Sequence, residues 1–187
     1  MRVIAGSARS LQLITPGGQE TRPTTDRIKE TLFNMLQTDI PGCVFVDLFA
    51  GSGGIGIEAI SRGAKKSYFA ENGKEAIRCI EHNLKHTHFD DKAILLKQDA
   101  ISALAYHITE PADIIFADPP YGKGFDQMLL ECARHATCVT EDTILIIEEE
   151  KYADFSYAEG LGFVILKEKV YKNNKHVFLK KRCKGED

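Results

Sequence analysis

Several features of other protein classes are missing from this chain. No apolar run approaches the roughly 20 residues of a membrane-spanning helix, and no continuous apolar segment follows the early Arg2, which argues against a signal peptide. The five cysteines are odd in number and scattered, without a C-x-x-C pair. A zinc site and a disulfide framework are therefore not expected. We expect a cytoplasmic protein with reduced thiols, no membrane association and no metal.

An excess of positive charge is also missing, since 24 Lys and Arg stand against 27 Asp and Glu, a net charge of −3. The cations are concentrated at the ends. Residues 1–29 carry five against two acids, residues 165–187 carry eight against three, and residues 30–164 carry eleven against twenty-two. Basic ends on an acidic body fit a catalytic domain whose flanks touch phosphate groups. On charge alone, a solvated lysine face on a C-terminal hairpin explains the pattern equally well.

The 187 residues suffice for one α/β domain with a substantial core and a small appendage. Short β-prone runs at 2–5 and 11–14 predict an N-terminal hairpin. A helix is expected over residues 26–37, with Thr24 or Thr25 as its N-cap.

Strand and helix patterns alternate after residue 42. Repeated strand–helix units with short links predict a parallel sheet covered on both faces, and the last two strands predict an antiparallel hairpin. We therefore divide the chain into an N-terminal extension, residues 1–40, and an α/β domain, residues 41–187. The predicted strands cover 44–48, 66–71, 93–97, 113–117, 143–148, about 163–171 and about 176–181, and the predicted helices cover 54–62, 74–86, 100–107 and 124–135.

A glycine loop, Gly51-x-Gly53-x-x-Gly56, follows the first strand of the α/β domain. Its spacing matches the dinucleotide fingerprint, and Glu71 lies where such proteins have a ribose-binding acid. Asp47 disfavours a dinucleotide, because a carboxylate there would repel a pyrophosphate. The same carboxylate would attract the sulfonium and α-amino cation of S-adenosylmethionine (SAM).

Carboxylates lie at the C-terminal ends of three successive predicted strands. Taken singly, each is more simply a solvated strand-end residue, but ligands of open α/β sheets bind where strands end, and the ordered set predicts one site. Glu71 would accept hydrogen bonds from ribose hydroxyls, and Asp99 from the adenine amino group. The predicted SAM site comprises Asp47, Phe49, Gly51, Gly53, Glu71, Asp99 and Ala100.

The tetrapeptide Asp118-Pro119-Pro120-Tyr121 follows the apolar run 113–117. Prolines fix φ and remove N–H donors, so this turn presents acceptors rigidly. The Asp118 carboxylate and the Pro119 carbonyl suit the N–H groups of a nucleobase amine, and the Tyr121 ring suits stacking of the base. The amine lone pair can then be aimed at the SAM methyl group. These four are the predicted catalytic residues, and a plain strand-ending turn is the alternative.

Two further segments, residues 2–6 (RVIAG) and residues 22–34 (RPTTDRIKETLFN), resemble the RsmD family of bacterial 16S ribosomal RNA guanine-N2 methyltransferases. The likeness covers about the whole chain. It implies a seven-stranded doubly wound sheet, SAM bound at the residues given above, the base bound at residues 118–121, and N2-methylguanine as product. It also places Arg22 and Arg27 near the cofactor's carboxylate or the RNA backbone.

The basic N-terminal segment supplies the predicted RNA contacts, and surface charges on a packing helix are the alternative. The expected partner is 16S rRNA or a small ribosomal subunit assembly intermediate, bound by a monomer. Residues 1–40 are then an RNA-binding extension, and residues 41–187 are a SAM-dependent methyltransferase domain. The predicted substrate-binding residues are Arg2, Arg9, Arg22 and Arg27.

Other interpretations stay open. Adenine-N6 methyltransferases acting on DNA or RNA use the same tetrapeptide, although the DNA enzymes carry a target-recognition insertion for which this chain has no room. Protein-glutamine methyltransferases favour an amide residue in place of Asp118. Outside this class, the alternatives are an NAD-dependent oxidoreductase and a non-catalytic RNA-binding protein.

Overall fold

A computed structural model describes residues 1–17 and 26–182 of the chain. Three residues singled out in the sequence lie outside the described residues. They are Arg22, a predicted RNA contact, and Thr24 and Thr25, the predicted N-cap candidates.

The chain divides into two compact units, Met1–Asp99 (unit 1) and Ala100–Asp187 (unit 2). The division into residues 1–40 and 41–187, drawn from the strand and helix patterns, stays a prediction. In the part of the chain that the structure describes, no helix combines the length and apolarity needed to cross a membrane. Within the described residues, no disulfide joins Cys43, Cys79, Cys132 and Cys138.

The main element of the fold, within the described ranges, is a seven-stranded and mostly parallel sheet. The strands are β1 (Val44–Leu48), β2 (Lys66–Ala70), β3 (Ala93–Leu96), β4 (Ile114–Ala117), β5 (Ile144–Glu150), β6 (Phe163–Val170) and β7 (Asn174–Lys181). Their order is β3-β2-β1-β4-β5-β7-β6. β2 pairs in parallel with β1 and β3, β4 pairs in parallel with β5, and β7 is antiparallel to β5 and β6. The predicted α/β class with an antiparallel C-terminal pair is confirmed.

The helices follow the predicted alternation with one irregular member. The predicted helix over 100–107 is a short helix continued by a π-helical segment, Ala103–His107. β5 and β7 are longer than predicted, because Glu150 pairs with Asn174 and extends their ladder. The helices are α1 (Asp26–Met35), α2 (Gly54–Ser61), α3 (Lys74–Thr87), α4 (Ala100–Ser102) and α5 (Phe125–His135).

Unit 1 is built around β1 and α2. Every residue of both elements is buried, as continuous apolar runs in a parallel sheet predict. The helix lies close to β2 because Gly56 has no side chain: a Cβ there would be 2.3 Å from the Phe69 ring. Any other residue at this position would push α2 away from the sheet.

The N-terminal segment is a short antiparallel hairpin, as predicted, with its pairing confined to the first residues of each run. Arg2 bridges Gln12, the Val3 N–H donates to the Leu11 carbonyl at 3.0 Å, and the Leu13 N–H donates to the Met1 carbonyl at 2.8 Å. The N–H groups of Ile4 and Ala5 donate to the Glu58 carboxylate, at 2.8 and 3.0 Å, and so are not available to a strand partner. The first residues of the chain are thereby attached to α2.

Glu58 is fully buried, and two cations balance its charge. The Lys29 ammonium, also fully buried, lies 3.3 Å from one carboxylate oxygen, and the Arg62 Nε lies 2.7 Å from the other. Lys29 also donates to the carbonyl oxygen of Arg2. Burial lowers the pKa of Lys29, although the Glu58 charge acts in the opposite direction. This network joins α1, α2 and the N-terminal segment.

Asn83 connects the N-terminal segment to the loop after β1. Its fully buried amide accepts the Ile14 N–H and donates to the carbonyl oxygens of Ile14 and Ser52, each at 2.9 Å. The Met1 side chain lies against the same loop, since a Cβ on Gly54 would be 2.2 Å from its sulfur. The conformation of this loop therefore depends on residues far from it in sequence.

In unit 2, the antiparallel register of β5 and β7 places Glu148 opposite His176. Both residues are buried, at 4% and 0% exposure. An acidic side chain in this setting requires hydrogen-bond donors.

We expect Lys29→Met to lower the free energy of unfolding by about 3–5 kcal/mol, because removing one partner of a buried ion pair leaves the other charge uncompensated. Lys97→Met is the matched control, since Lys97 pairs with Glu81 at 2.7 Å while both side chains are about half exposed. The control should change stability by about 0–1 kcal/mol. Urea unfolding followed by circular dichroism measures both, and equal losses would contradict a stabilising role for the buried network.

Candidate active site

Asp47, the fourth residue of β1, is 2% exposed. Its Oδ2 accepts the N–H of Gly56, in the first turn of α2, at 2.8 Å. Burial raises the pKa of Asp47 to about 7; the Gly56 hydrogen bond opposes this rise, and the nearby Glu71 charge adds to it. A cation beside Asp47 would favour its ionised form.

In the loop after β1, every second residue has a backbone conformation in the left-handed region. Phe49, Gly51 and Gly53 have φ values of 61°, 56° and 78°. Glycine adopts this region freely, whereas a bulky residue such as Phe49 is strained in it. Among the described residues, no atom lies within 4 Å of the point where a Gly51 side chain would begin. The backbone at Gly51 therefore has open space beside it in which a ligand could lie.

Glu71 follows β2 directly and joins two loops. One carboxylate oxygen accepts the Gly51 N–H at 2.8 Å, and the other accepts the N–H groups of Asn72 and Gly73 at 2.9 and 2.8 Å. A carboxylate has about four acceptor positions. The predicted ribose-binding residue thus also shapes the glycine loop, and about one acceptor position is left for a ligand hydroxyl.

Asp99 and Ala100 lie after β3. The strand ends at Leu96, so exposed Asp99 is three residues beyond it rather than at its end, and buried Ala100 begins α4. The Glu71 N–H donates to the Leu96 carbonyl at 3.1 Å. Glu71 and the segment that leads to Asp99 therefore come together where β2 and β3 end.

The acidic character of this part of unit 1 suits a cationic ligand. Asp47 and Glu71 are near enough for one charge to affect the other, and both carboxylates accept N–H groups of the glycine-loop region. Such a site fits the sulfonium and amino group of SAM better than a pyrophosphate. Nowhere in residues 1–17 and 26–182 do three or more His, Cys, Asp or Glu side chains group as a metal site.

The tetrapeptide of unit 2 follows β4, whose four residues are all buried. Asp118 and Tyr121 are half-buried, Pro119 is buried and Pro120 is exposed. The turn therefore presents a carboxylate and an aromatic ring that are each partly open to solvent. Those are the two groups that the sequence assigns to a base amine and to the base face.

The Tyr121 hydroxyl donates to a Glu148 carboxylate oxygen at 2.7 Å. Asn174 and His176, both on β7, also hydrogen-bond to this carboxylate, His176 through Nε2 at 2.8 Å. Burial acts to raise the pKa of Glu148, but the bonds from His176, Tyr121 and Asn174 outweigh it, and the pKa lies below its usual value. Burial raises the pKa of Tyr121 far above its usual value, and the charges of Glu148 and Asp118 add to the rise.

Glu148, Asn174 and His176 are the residues that sequence reasoning missed. The prediction placed Glu148 at the end of one strand and His176 at the start of another. Only the antiparallel register sets them opposite each other. A glutamate at the end of a buried strand, with a histidine in a later strand, is the signal from which this pair could have been suspected.

Among the described residues, no hydrogen bond or ion pair links the predicted RNA-binding arginines to one another. Arg2 forms an ion pair with Asp26 at 2.8 Å, with both side chains about half exposed. Arg9 and Arg27 are exposed on unit 1. Arg22 lies outside the described residues, so its predicted role stays a prediction.

Comparison with known proteins gives consistent matches over most of the chain. A family model described as "Conserved hypothetical protein 95" matches residues 1–180. YlbH from Bacillus subtilis is 36% identical over 162 residues, which cover 86% of this chain and 88% of YlbH. Ribosomal RNA small subunit methyltransferase D from Haemophilus influenzae is 32% identical over 171 residues, covering 90% of this chain and 88% of that protein. The solved structure of yhhF from Escherichia coli has a TM-score of 0.83 at 28% identity, covering 98% of this chain and 99% of that chain.

We expect the affinity for SAM to rise with pH and to level off above neutrality. In the protein without ligand, Asp47 is protonated below its pKa of about 7, and only its carboxylate attracts a cation. Affinity should fall by up to about tenfold for each pH unit below that pKa. Isothermal titration calorimetry across this range measures the effect. Asp47→Asn should bind more weakly at high pH and lose this dependence, and a flat wild-type profile would contradict the role of Asp47.

The Asp47 carboxyl should also make the stability of the protein depend on pH, with a trend opposite to that of SAM affinity. The pKa of Asp47 is raised on folding from its usual 3.8 to about 7. The favourable contribution of Asp47 to the free energy of unfolding is therefore fully present below about pH 4 and is lost as the pH rises through about 7. The melting temperatures of the wild type and of Asp47→Asn, measured against pH, should therefore have different slopes between about pH 4 and 7.

Proposed function

The chain belongs to the RsmD family, as its sequence predicted, and we propose that it transfers a methyl group from SAM to the N2 amine of a guanine in 16S ribosomal RNA. The observation that carries the proposal is the turn Asp118–Tyr121, with its half-buried carboxylate and its ring held by Glu148. We assign base binding to this turn, and we assign SAM binding to Asp47, the loop after β1, Glu71, Asp99 and Ala100.

Asp118 acts on the amine of the base. The lone pair of a guanine amine is delocalised into the ring, which makes the amine a poor nucleophile. Hydrogen bonds from its N–H groups to the Asp118 carboxylate and the Pro119 carbonyl rotate the amine and direct the lone pair outward. When bound, SAM supplies a methyl carbon activated by its sulfonium. The rest of the catalysis is positioning for in-line displacement.

The cofactor assignment is supported by the acids and the loop of unit 1. Asp47 offers a buried carboxylate to the cationic part of SAM, and Glu71 offers one remaining acceptor position to a ribose hydroxyl. Asp99, exposed after β3, is assigned to the adenine amino group. Phe49, Gly51, Gly53 and Ala100 complete the proposed cofactor site.

The RNA substrate is supported by the names of relatives and by the basic ends of the chain. Ribosomal RNA small subunit methyltransferase D from Haemophilus influenzae matches this chain over most of its length. Arg9 and Arg27 are exposed and available to phosphates, and Arg2 is half exposed. We propose that the protein acts as a monomer in the cytoplasm, on 16S rRNA or an assembly intermediate of the small subunit.

The central test is Asp118→Ala with product analysis. Methyl transfer should fall by about 100-fold or more, because the amine is no longer oriented, while SAM affinity stays within about twofold since Asp118 serves the base. Asp142→Ala, an exposed aspartate of the same unit, is the matched control and should behave as wild type. Tritiated methyl transfer to rRNA from a strain lacking the enzyme, followed by nucleoside analysis, provides the measurement.

The product decides between the proposal and its alternatives. N2-methylguanine at the wild-type rate from Asp118→Ala would exclude the mechanism. N6-methyladenine from the wild type would change the target base. Binding of NADH instead of SAM would exclude methyl transfer altogether.

A further inference from the structure

The Tyr121 hydroxyl has a defined partner inside the protein. It donates to Glu148 at 2.7 Å, and the side chain is half-buried. The far end of the ring is therefore tethered, while the near end is fixed to a turn stiffened by two prolines. A ring held at both ends keeps one orientation.

Glu148 is itself held in place by three donors. Besides Tyr121, it is bonded by the Asn174 amide and by His176 Nε2, and only 4% of Glu148 is exposed. Asn174 and His176 belong to β7, whereas Glu148 belongs to β5. Two of the three donors are therefore held by the antiparallel pairing of these strands. The carboxylate cannot move without disturbing two strands.

His176 extends the network to β4, the strand that carries the tetrapeptide. Its ring is fully buried, lies edge-on to Phe116 with centroids 5.8 Å apart, and its Nδ1 is 3.2 Å from the Tyr171 hydroxyl. Phe116 lies two residues before Asp118 in the chain. The same buried group therefore packs against the strand that leads to Asp118 and anchors the residue that holds Tyr121.

We propose that Glu148 is a positioning residue of the base-binding turn, a buried anion that fixes the Tyr121 ring for stacking and places negative charge at its hydroxyl end. This inference rests on the proposed function, in which a guanine stacks on Tyr121. As the amine nitrogen forms its bond to the methyl carbon, the bond from that carbon to sulfur breaks and positive charge moves from sulfur to the base, until the amine releases one N–H proton to solvent. A fixed carboxylate at the hydroxyl end of the ring stabilises that charge without having to reorganise.

The test is a double-mutant cycle with Tyr121→Phe and Glu148→Gln, each assayed for methyl transfer and for SAM affinity. Each single variant should lose about 10–100-fold in kcat/KM for RNA, as expected for a displaced reacting group. The kcat/KM of the double variant should match that of the less active single variant within about twofold, because the two residues act through one contact. SAM affinity should be unchanged throughout. A purely structural role of Glu148 would instead give independent losses that multiply, together with a loss of SAM-binding protein.

Tyr157→Phe is the matched control, since it also removes a tyrosine hydroxyl that donates to a carboxylate, Asp126, at 2.6 Å. It should retain activity within about twofold, because this bond joins Tyr157 to α5 rather than to Tyr121 or Glu148. If Glu148→Gln does not fold, Tyr121→Phe decides alone, because it deletes a single oxygen. Full activity in that variant would overturn the inference.

A stacking assay separates this inference from the proposed function. An RNA loop carrying 2-aminopurine, which has the same exocyclic amine as guanine, loses fluorescence when its base stacks. Quenching by wild type and much weaker quenching by Glu148→Gln is the expected result. No quenching and no methyl transfer with wild type would mean that the proposed function has failed. Equal quenching and equal transfer by wild type and Glu148→Gln would mean that the inference alone has failed.

Discussion

A carboxylate removed from water must be given hydrogen-bond donors or cations, and this requirement organises both units of the protein. Glu58 receives the N–H groups of Ile4 and Ala5 together with two cations, and thereby attaches the N-terminal segment to α2. Glu148 receives Tyr121 and two groups of β7. In each case the acid determines where a distant part of the chain is placed.

The acids differ in how completely the protein satisfies them, and this difference separates structural from binding roles. Glu58 and Glu148 each have several hydrogen-bond or ion-pair partners within the protein. Asp47 has one recorded donor, from Gly56, and its pKa is raised to about 7. Glu71 lies between these cases, since it shapes the glycine loop and keeps one acceptor position. The incompletely satisfied acids lie in the proposed cofactor site.

Sequence patterns predicted the strands well, because continuous apolar runs such as β1 and β4 are buried whatever their neighbours are. The glycine loop and the tetrapeptide were visible because their chemistry is local. The attachment of the N-terminal hairpin to α2 was not predicted, because nothing near Ile4 shows that its N–H will bond to Glu58, 54 residues away. The anchoring of Tyr121 was missed for the same reason, since it depends on the register of β5 with β7.

The backbone of Phe49 shows how selection for folding and selection for chemistry can diverge. A left-handed conformation costs a bulky residue about 1–3 kcal/mol, and a glycine at that position would avoid the strain. The same substitution would remove a half-buried ring from the loop that we propose for the cofactor. Relief of backbone strain and retention of the aromatic side chain therefore act in opposite directions at this one position.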